Sequence, residues 1–277
     1  MASRKEKYFI IKLPVYVFMI LLSAVALLPF YMMIMMGTYV TEDLFLGTKL
    51  FPGNYFGENL RSVVNSGFFR SYINSFIVAI PHTAGAVLVS AITGYAFAKY
   101  RFRGKNALFA FVLATIAIPS QVGLVGFVVE MKMIGWINTL LPLIFPGMAN
   151  AFVVFWMTQY IGSAVPNEIL ESGCLDGCND FGVFFRLVLP IIRPAVVCMS
   201  LLLFLWSWNN YMTPLVVVSK VTLYTVPLAI ALLQGEFRVD VAARILALGM
   251  GIIPILIMFA IGSRQLIQGM TAGSIKG

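Results

Sequence analysis

The feature that most constrains the fold of this chain is a set of six long runs without an acidic or basic residue. One of them is interrupted only by His82. A bilayer span needs about 20 mostly apolar residues, and a charge at its centre costs roughly 2.5 to 3.5 kcal/mol on insertion scales. We therefore predict six transmembrane helices. The runs cover residues 13–41, 71–98, 106–129, 133–167, 194–219 and 245–263.

The composition also indicates a membrane protein. Hydrophobic residues make up 60% of the 277 residues and charged residues only 11%, and the mean hydropathy is +0.93. A soluble domain has about 25% charged residues. We therefore predict an all-α integral membrane protein.

The lysines and arginines favour a cytoplasmic amino terminus. In that orientation twelve of the 19 basic residues lie in cytoplasmic segments and seven in outer segments. This excess follows the positive-inside rule, so both termini and residues 166–193 are predicted to be cytoplasmic. The same anchoring residues account for the net charge of +8, which is therefore weak support for nucleic-acid binding.

The first run also has features of a cleavable signal peptide, because a basic start precedes an apolar stretch and Ala24-Val25-Ala26. Apolar residues continue through Met36, which makes the run too long for a signal core. We therefore prefer an uncleaved first helix over residues 13–36.

Residues 166–193, called the 166–193 segment below, carry signals for two short helices between two spans. Pro166 can start the first helix, where Glu168 suits the positive end of the helix dipole. Gly177 suits the left-handed position that closes a helix, and Asn179 is a good cap for the next one. The segment is thus predicted to have the shape of a docking element.

The second helix of this segment has an apolar pattern. Phe181, Phe184, Phe185 and Val188 follow the spacing i, i+3, i+4, i+7, which predicts one apolar stripe. Leu189 precedes Pro190 and is therefore expected to leave the helical region and end this helix.

Residues for enzymatic chemistry are scarce. The sequence lacks the zinc motif His-Glu-x-x-His, the nucleophile elbow Gly-x-Ser-x-Gly and the phosphate loop Gly-x4-Gly-Lys-Ser/Thr. The three cysteines, Cys174, Cys178 and Cys198, do not have the spacing of a metal or disulfide framework. His82 is a functional candidate as an ionisable group in a span, but a structural hydrogen bond is the preferred interpretation. We expect no catalytic, metal or cofactor site, so any ATP-driven work must come from a partner.

The 166–193 segment resembles the Glu-Ala-Ala loop of permease subunits of binding-protein-dependent ABC importers. In that pattern a glutamate precedes two small residues, Asp-Gly follows, and Leu-Pro comes later. Glycine at the second small position lowers helix propensity by about 1 kcal/mol relative to alanine. The matching residues are Glu171, Ser172, Gly173, Asp176, Gly177, Leu189 and Pro190.

Further motifs narrow the resemblance to the carbohydrate-uptake branch and to its shorter, maltose-type permease chain. They lie at residues 95–104, 118–121, 208–211 and 268–277. The similarity extends over roughly residues 12–277 and includes several separate motifs in the same order.

The resemblance implies a type I ABC importer permease fold with a cytoplasmic two-helix coupling loop. It also implies a second permease as a heterodimeric partner, two ATPase subunits that bind ATP and Mg, and an extracytoplasmic sugar-binding protein. The chain would lie in the plasma (inner) membrane of a bacterium or archaeon. Residues assigned to ATPase coupling are Glu168, Glu171, Asp176, Gly177, Phe181, Phe184, Phe185 and Pro190.

A sugar pathway needs polar and aromatic groups near the midplane, because hydroxyls require hydrogen bonds and the apolar ring face packs on aromatic side chains. The alternative is that such residues only pair between helices or lie at the membrane interface. The first-rank candidates are Trp206, Asn209 and Asn210, and the second-rank candidates are Gln121, Asn150 and Trp156.

The resulting organisation is a cytoplasmic amino terminus, one added span, an outer segment, a permease core and a cytoplasmic tail. An ABC permease for a polyol or sugar phosphate is an alternative, and a secondary carrier is a weaker one because internal repeats and deeply placed charges are not apparent. The five predicted regions are residues 1–12, 13–36, 37–70, 71–264 and 265–277.

Overall fold

A computed structural model describes residues 4–233 and 240–271. Within these residues the regular structure is helical, without a strand. Short 3-10 turns cover Glu42–Phe45, Ser120–Gly123, Pro146–Met148 and Val221–Leu223, and a π-helical turn covers Phe184–Val188. The α-helices are α1 Arg4–Met36, α2 Phe56–Asn65, α3 Phe68–Lys99, α4 Lys105–Ile116, α5 Leu124–Met133, α6 Leu141–Ile144, α7 Ala151–Ala164, α8 Asn167–Leu175, α9 Asp180–Val183, α10 Leu189–Ile191, α11 Arg193–Trp208, α12 Met212–Val217, α13 Val226–Leu232 and α14 Val241–Thr271.

The helices supply four candidate spans and two bent pairs. The four spans are Lys12–Met36, Phe68–Lys99, Leu141–Ala164 and Val241–Gly262, and Leu141–Ala164 includes α6, a 3-10 turn and α7. The bent pairs are Lys105–Ile116 with Gln121–Met133, at 86°, and Asp180–Ile191 with Arg193–Trp208, at 81°. Counting each pair as one span gives up to six, the predicted number, although the second pair begins at Asp180 within the 166–193 segment and not at residue 194.

The third and fifth predicted spans are interrupted rather than continuous. The third breaks after α4, where Pro119 adopts an extended conformation with ψ 125° before the chain turns into α5. The fifth consists of α11 and α12, with Asn209 and Asn210 between them. The last helix continues through Thr271, beyond the predicted end of its span, and residues 272–277 of the predicted tail lie outside the described residues.

One structural unit comprises Met1–Phe68 and Ile230–Ile252. In it the segment between α1 and α3 is bonded to the start of α14 through Asp240. The Asp240 carboxylate accepts hydrogen bonds from the Thr41 hydroxyl at 3.1 Å, the Ser62 hydroxyl at 3.3 Å and the Ala243 amide at 2.9 Å. Asn59 is buried and donates to the carbonyls of Gly37 and Tyr39. The segment is therefore an ordered part of this unit.

The other unit comprises Phe69–Ala229 and Ile253–Gly277. Its largest buried cluster joins α3, α7, the π-turn and α11, with Val87, Met157, Phe184 and Leu203 among its members. A second cluster joins α3 to α5, α6, α12 and α13. Helix α3 contributes to both clusters and is the central element of this unit.

Asn138, which has a left-handed backbone conformation, holds the chain after α12 beside the turn between α5 and α6. Asn138 has φ 59° and lies between α5 and α6. Its side-chain oxygen accepts hydrogen bonds from the Ser219 amide at 2.6 Å and the Ser219 hydroxyl at 2.7 Å. Asparagine tolerates this conformation better than other non-glycine residues. The contact anchors the end of α12 beside the α5–α6 turn.

Helices α3 and α7 approach closely at Gly94. A Cβ at this position would lie 2.7 Å from the Met157 Cβ and 2.9 Å from the Thr158 amide nitrogen. Small residues at such crossings allow backbones to approach within a membrane. Gly94 therefore sets the packing distance of α3 against α7.

We predict that Gly94→Ala destabilises the chain by about 1 to 3 kcal/mol, because the added methyl group meets backbone atoms. Thermal unfolding in mild detergent measures this as a lower midpoint. Gly162→Ala on α7 is the matched control, since a Cβ there meets nothing within 4 Å. An unchanged midpoint for Gly94→Ala would contradict the packing argument.

Candidate functional site: the coupling segment and the helix-break cavity

Local hydrogen bonds define the shape of the 166–193 segment. Pro166 is extended, with ψ 148°, so it flanks α8 rather than starting it, and Asn167 is the first helical residue. Gly177 has φ 79°. Its amide donates to the Cys174 carbonyl, while the Cys178 amide donates to the Gly173 carbonyl. These two bonds form a Schellman C-cap, which confirms the left-handed position predicted for Gly177.

The next helix has the predicted asparagine cap. The Asn179 side-chain oxygen accepts a hydrogen bond from the Gly182 amide at 2.8 Å. Helix α9 therefore begins directly after the Schellman turn, so α8 and α9 are joined with little free chain between them.

Helix α8 has one face toward the core and one toward solvent. Leu170 packs against the largest cluster and Gly173 is buried. The predicted coupling carboxylates of Glu168, Glu171 and Asp176 are exposed. They are thus available to a partner with basic side chains.

Gly173 has a packing role that its helix propensity did not indicate. A Cβ there would lie 2.6 Å from the Leu187 Cδ1 and 3.2 Å from the Val183 Cγ2. The following helix therefore occupies the space that the alanine of the resembling pattern would need. Close contact between the two helices offsets the lower helix propensity of glycine.

The prediction of a single apolar stripe is wrong. Phe184 and Val188 are buried at 2% and 0% exposure, whereas Phe181 and Phe185 are 68% and 45% exposed. The physical reason is the π-turn over Phe184–Val188. Its i→i+5 bonding changes the number of residues per turn, so the spacing of an α-helix no longer assigns the faces. Phe184 belongs to the chain's own core and is not available for docking.

The prediction that Leu189 leaves the helical region is also wrong. Leu189 has φ −58° and ψ −41°, and α10 continues to Ile191. Pro190 is exposed in the first turn of α10, where a missing amide hydrogen costs least. The helix instead ends at Ile192, before the bend into α11.

Leu175 is a surface residue of the 166–193 segment that no motif or spacing in the sequence predicts. Its side chain is 89% exposed at the end of α8. Leu175 follows Glu171 by four residues, and this spacing places both on one face of a helix. Exposed Leu175, Phe181 and Phe185 thus supply apolar surface beside the exposed carboxylates.

Five of the six predicted pathway residues line one cavity of about 570 Å³. These are Trp206, Asn209, Asn210, Gln121 and Asn150. Binding cavities of small molecules have volumes of about 300 to 1,000 Å³. Residues far apart in the sequence are therefore brought together in a space of suitable size.

The asparagines of the cavity also cap helices. The Asn150 side-chain oxygen accepts from the Val153 amide at 3.1 Å at the start of α7. The Asn210 side-chain oxygen accepts from the Thr213 amide at 3.2 Å at the start of α12. Asn209 donates to the Leu205 carbonyl at the end of α11. The structural and the pathway interpretations of these residues are therefore compatible.

The two predicted tryptophans differ in their surroundings. Trp206 is 45% exposed and lines the cavity, with its ring 5.7 Å from that of Phe152 in an edge contact. Trp156 does not line this cavity and instead stacks on Tyr160 at 5.3 Å. Trp156 is therefore separate from the other five candidates, which line the cavity.

A second cavity of about 580 Å³ shares His82, Asn210 and Thr213 with the first and adds Glu130. The His82 Nδ1 lies 3.0 Å from the Ile144 carbonyl oxygen, to which it donates because a carbonyl only accepts. His82 thus makes the expected structural bond and also lines both cavities. The sequence signal for this role is a single histidine in a run that otherwise lacks acidic and basic residues.

The sequence matches the family of binding-protein-dependent transport system inner membrane components over residues 86–270. This match covers more than half of the chain, so the chain belongs to that family. It is an integral plasma membrane protein and a transport permease that works with partner subunits. The predicted resemblance to importer permeases is thereby confirmed.

Curated relatives extend the similarity to most of the chain. It is 32% identical over 204 residues to the arabinooligosaccharides transport system permease protein AraQ of Halalkalibacterium halodurans, covering 74% of this chain and 73% of the relative. It is 30% identical over 264 residues to the trehalose/maltose transport system permease protein MalG of Thermococcus litoralis, covering 93% and 94% respectively.

The fold also resembles a solved structure. A chain of a bacterial ABC transporter involved in the import of the acidic polysaccharide alginate superimposes with a TM-score of 0.76 at 20% identity. The superposition covers 95% of this chain and 98% of the other. The two chains therefore share an importer permease fold.

We predict that Phe184→Ala and Phe185→Ala have different effects. Phe184→Ala removes a buried ring and should cost about 3 to 5 kcal/mol of stability. Phe185→Ala removes a half-exposed ring and should leave the thermal midpoint of the purified chain close to that of the wild type. Fluorescence-detected unfolding in detergent measures both. Equal losses for the two variants would contradict the face assignment around the π-turn.

Proposed function

We propose that this chain forms one half of the translocation pore of an ATP-driven importer for a sugar or oligosaccharide. The observation that carries the proposal is the cavity at the helix breaks. It combines the aromatic surface of Trp206 with the amides of Asn209, Asn210, Gln121 and Asn150. The relatives named for oligosaccharide transport support this substrate class.

The cavity chemistry suits a polyhydroxylated ligand. Amide groups both donate and accept hydrogen bonds, as sugar hydroxyls do, and an aromatic ring packs on the apolar face of a sugar ring. The hydroxyls of Thr213 and Tyr211 add further polar groups to the lining. A polyol would use the same groups. Recognition of a sugar phosphate would be favoured by a basic residue in the lining of the cavity.

The energy for transport is proposed to come from a separate ATPase subunit that binds ATP and Mg. The exposed Glu171, with Glu168 and Asp176, would pair with basic residues of that subunit. Leu175, Phe181 and Phe185 would be buried at its surface, since these side chains are 89%, 68% and 45% exposed. Apolar surface surrounded by carboxylates fits an apolar cleft with a basic rim.

The proposed assembly contains two permease chains, two ATPase subunits and an extracytoplasmic binding protein that delivers the solute. We propose a heterodimeric pore, because the resembling shorter permeases of the maltose type have a longer partner. The distribution of basic residues supports cytoplasmic termini and a cytoplasmic 166–193 segment. In this assembly the ATPase sites are proposed to lie in the ATPase subunits.

A secondary carrier is the alternative from another class. It would work with an ion gradient alone, whereas the proposed importer stops when ATP is withheld. Uptake by proteoliposomes with and without internal ATP separates the two.

We expect Glu171→Lys to leave membrane insertion intact and to abolish both uptake and sugar-stimulated ATPase activity, because it reverses a charge at the docking surface. Glu58→Lys in α2 of the outer segment is the matched control for charge reversal. Membrane content is checked by immunoblot, and both activities are measured in vesicles. Normal uptake by Glu171→Lys would exclude the coupling role.

We expect Trp206→Ala to lower uptake at limiting sugar concentration by about fivefold or more, as the aromatic contact contributes roughly 1 kcal/mol or more. Trp206→Phe keeps a ring and should restore most of the rate. Asn210→Asp keeps the oxygen that caps α12 but removes the amide donor, and should change the preference among sugars. Unchanged rates and preferences in these variants would exclude Trp206 and Asn210 from the pathway.

A further inference from the structure

The last residue of α3 is bonded to the start of the 166–193 segment. The Lys99 ammonium donates to the Val165 carbonyl and, at 3.0 Å, to the Asn167 side-chain oxygen. Val165 and Pro166 are the two extended residues between α7 and α8. Lys99 thus bonds α3 to the junction at which α8 begins. Lys99 and Asn167 lie 68 residues apart in the sequence.

The next residue links the same end of α3 to the second helix of the segment. The Tyr95 ring lies 5.4 Å from the Tyr100 ring and 5.4 Å from the ring of buried Phe184, which directly follows α9. Burial, followed by interaction of the Tyr100 hydroxyl with the side chains of Tyr95 and Asp180, raises the pKa of Tyr100 above its ordinary range. Asp180 is the first residue of α9. Tyr100 therefore remains neutral at physiological pH.

The middle of α3 reaches the cavity. His82 lies about 25 Å along the helix from Lys99, at about 1.5 Å per residue. It lines both cavities and donates to the Ile144 carbonyl. Gly94 lies between these points and packs α3 directly on the backbone of α7. One 32-residue helix thus connects the coupling segment with the pathway.

The other connections from the segment are bent or extended. The bend between α10 and α11 is 81°, and α8 is joined to α7 through two extended residues. The extended connection from α7 and the sharp bend before α11 transmit displacement less directly than α3 does. Helix α3 is continuous and contacts both α8 and the region of α9. Of the three elements, α3 has the most direct mechanical connection.

We propose that Lys99 and Tyr100 are positioning residues that couple movement of the 166–193 segment to the cavity through α3. This inference rests on the proposed function, in which that segment receives the motion of an ATPase. Lys99 holds the start of α8 through its hydrogen bonds, and Tyr100 contacts the α9 side through the rings of Tyr95 and Phe184. These contacts make the pair of short helices move with α3 as one body.

The test uses the complete importer reconstituted in proteoliposomes with its binding protein. Lys99→Met removes the ammonium but keeps the length of the side chain, and Tyr100→Phe removes only the hydroxyl. In the double variant we expect the amount of solute transported per ATP hydrolysed to fall by about fivefold or more, the lower end of typical coupling effects. Lys99→Arg, which retains the charged donor, should restore most of the ratio.

The matched control is Arg101→Met, which removes an exposed basic residue next to the pair. Arg101→Met should leave the amount of solute transported per ATP hydrolysed unchanged. That result would exclude a simple effect of the lost charge on membrane orientation. Tyr100→Phe alone keeps the packed ring and should lower the ratio without a change in thermal midpoint. This single variant keeps the test decisive if the double variant does not assemble.

The two hypotheses fail in different ways. A normal ratio of transport to hydrolysis in Tyr100→Phe and in Lys99→Met would overturn the positioning role and leave the proposed importer intact. Uptake by the wild-type assembly that persists without ATP would overturn the proposed function and this inference with it.

Discussion

The constraint on which this fold depends is that backbone polar groups inside a bilayer must be satisfied within the protein. A break in a spanning helix exposes such groups, and breaks are tolerated only where they are buried in protein or line a polar cavity. The breaks next to Gln121, Asn150 and Asn210 all border the same cavity. At two of these breaks the cavity and the interruption have a common origin, since the asparagine side chains that line the space also bond to the broken ends of the helices.

Much of this architecture follows from the sequence. Charge-free runs predict six spans because the cost of burying charge does not depend on details of packing. The caps at Gly177 and Asn179 are predictable because they are local, involving bonds within a few residues. The expected need for polar and aromatic groups near the midplane selects five residues that line one cavity, and their role in a pathway stays a prediction.

The errors arise where packing overrides a local rule. Phe184 and Phe185 occupy neighbouring positions of an α-helical stripe, yet the π-turn buries one and exposes the other. Leu189 stays helical before Pro190 because α10 starts anew after that turn. Leu175 lacks a strong periodic signal, so its exposure becomes evident only once α8 is placed against the core. A π-turn is rare and frequently occurs at functional sites, and this one lies in the segment that we propose docks on the ATPase.

The double use of the asparagines also bears on how tightly the pathway can hold a solute. A carboxamide can make four hydrogen bonds. In Asn210, the side-chain oxygen accepts from the Thr213 amide and its nitrogen donates to the Thr213 hydroxyl at 3.1 Å. Only the remaining capacity is open to a ligand. A conducting site must bind well enough for entry and weakly enough for release. In the proposed pathway, partly satisfied asparagine amides would provide this balance, because each new bond to a hydroxyl adds to an existing network and its loss leaves the bonds at the helix ends in place.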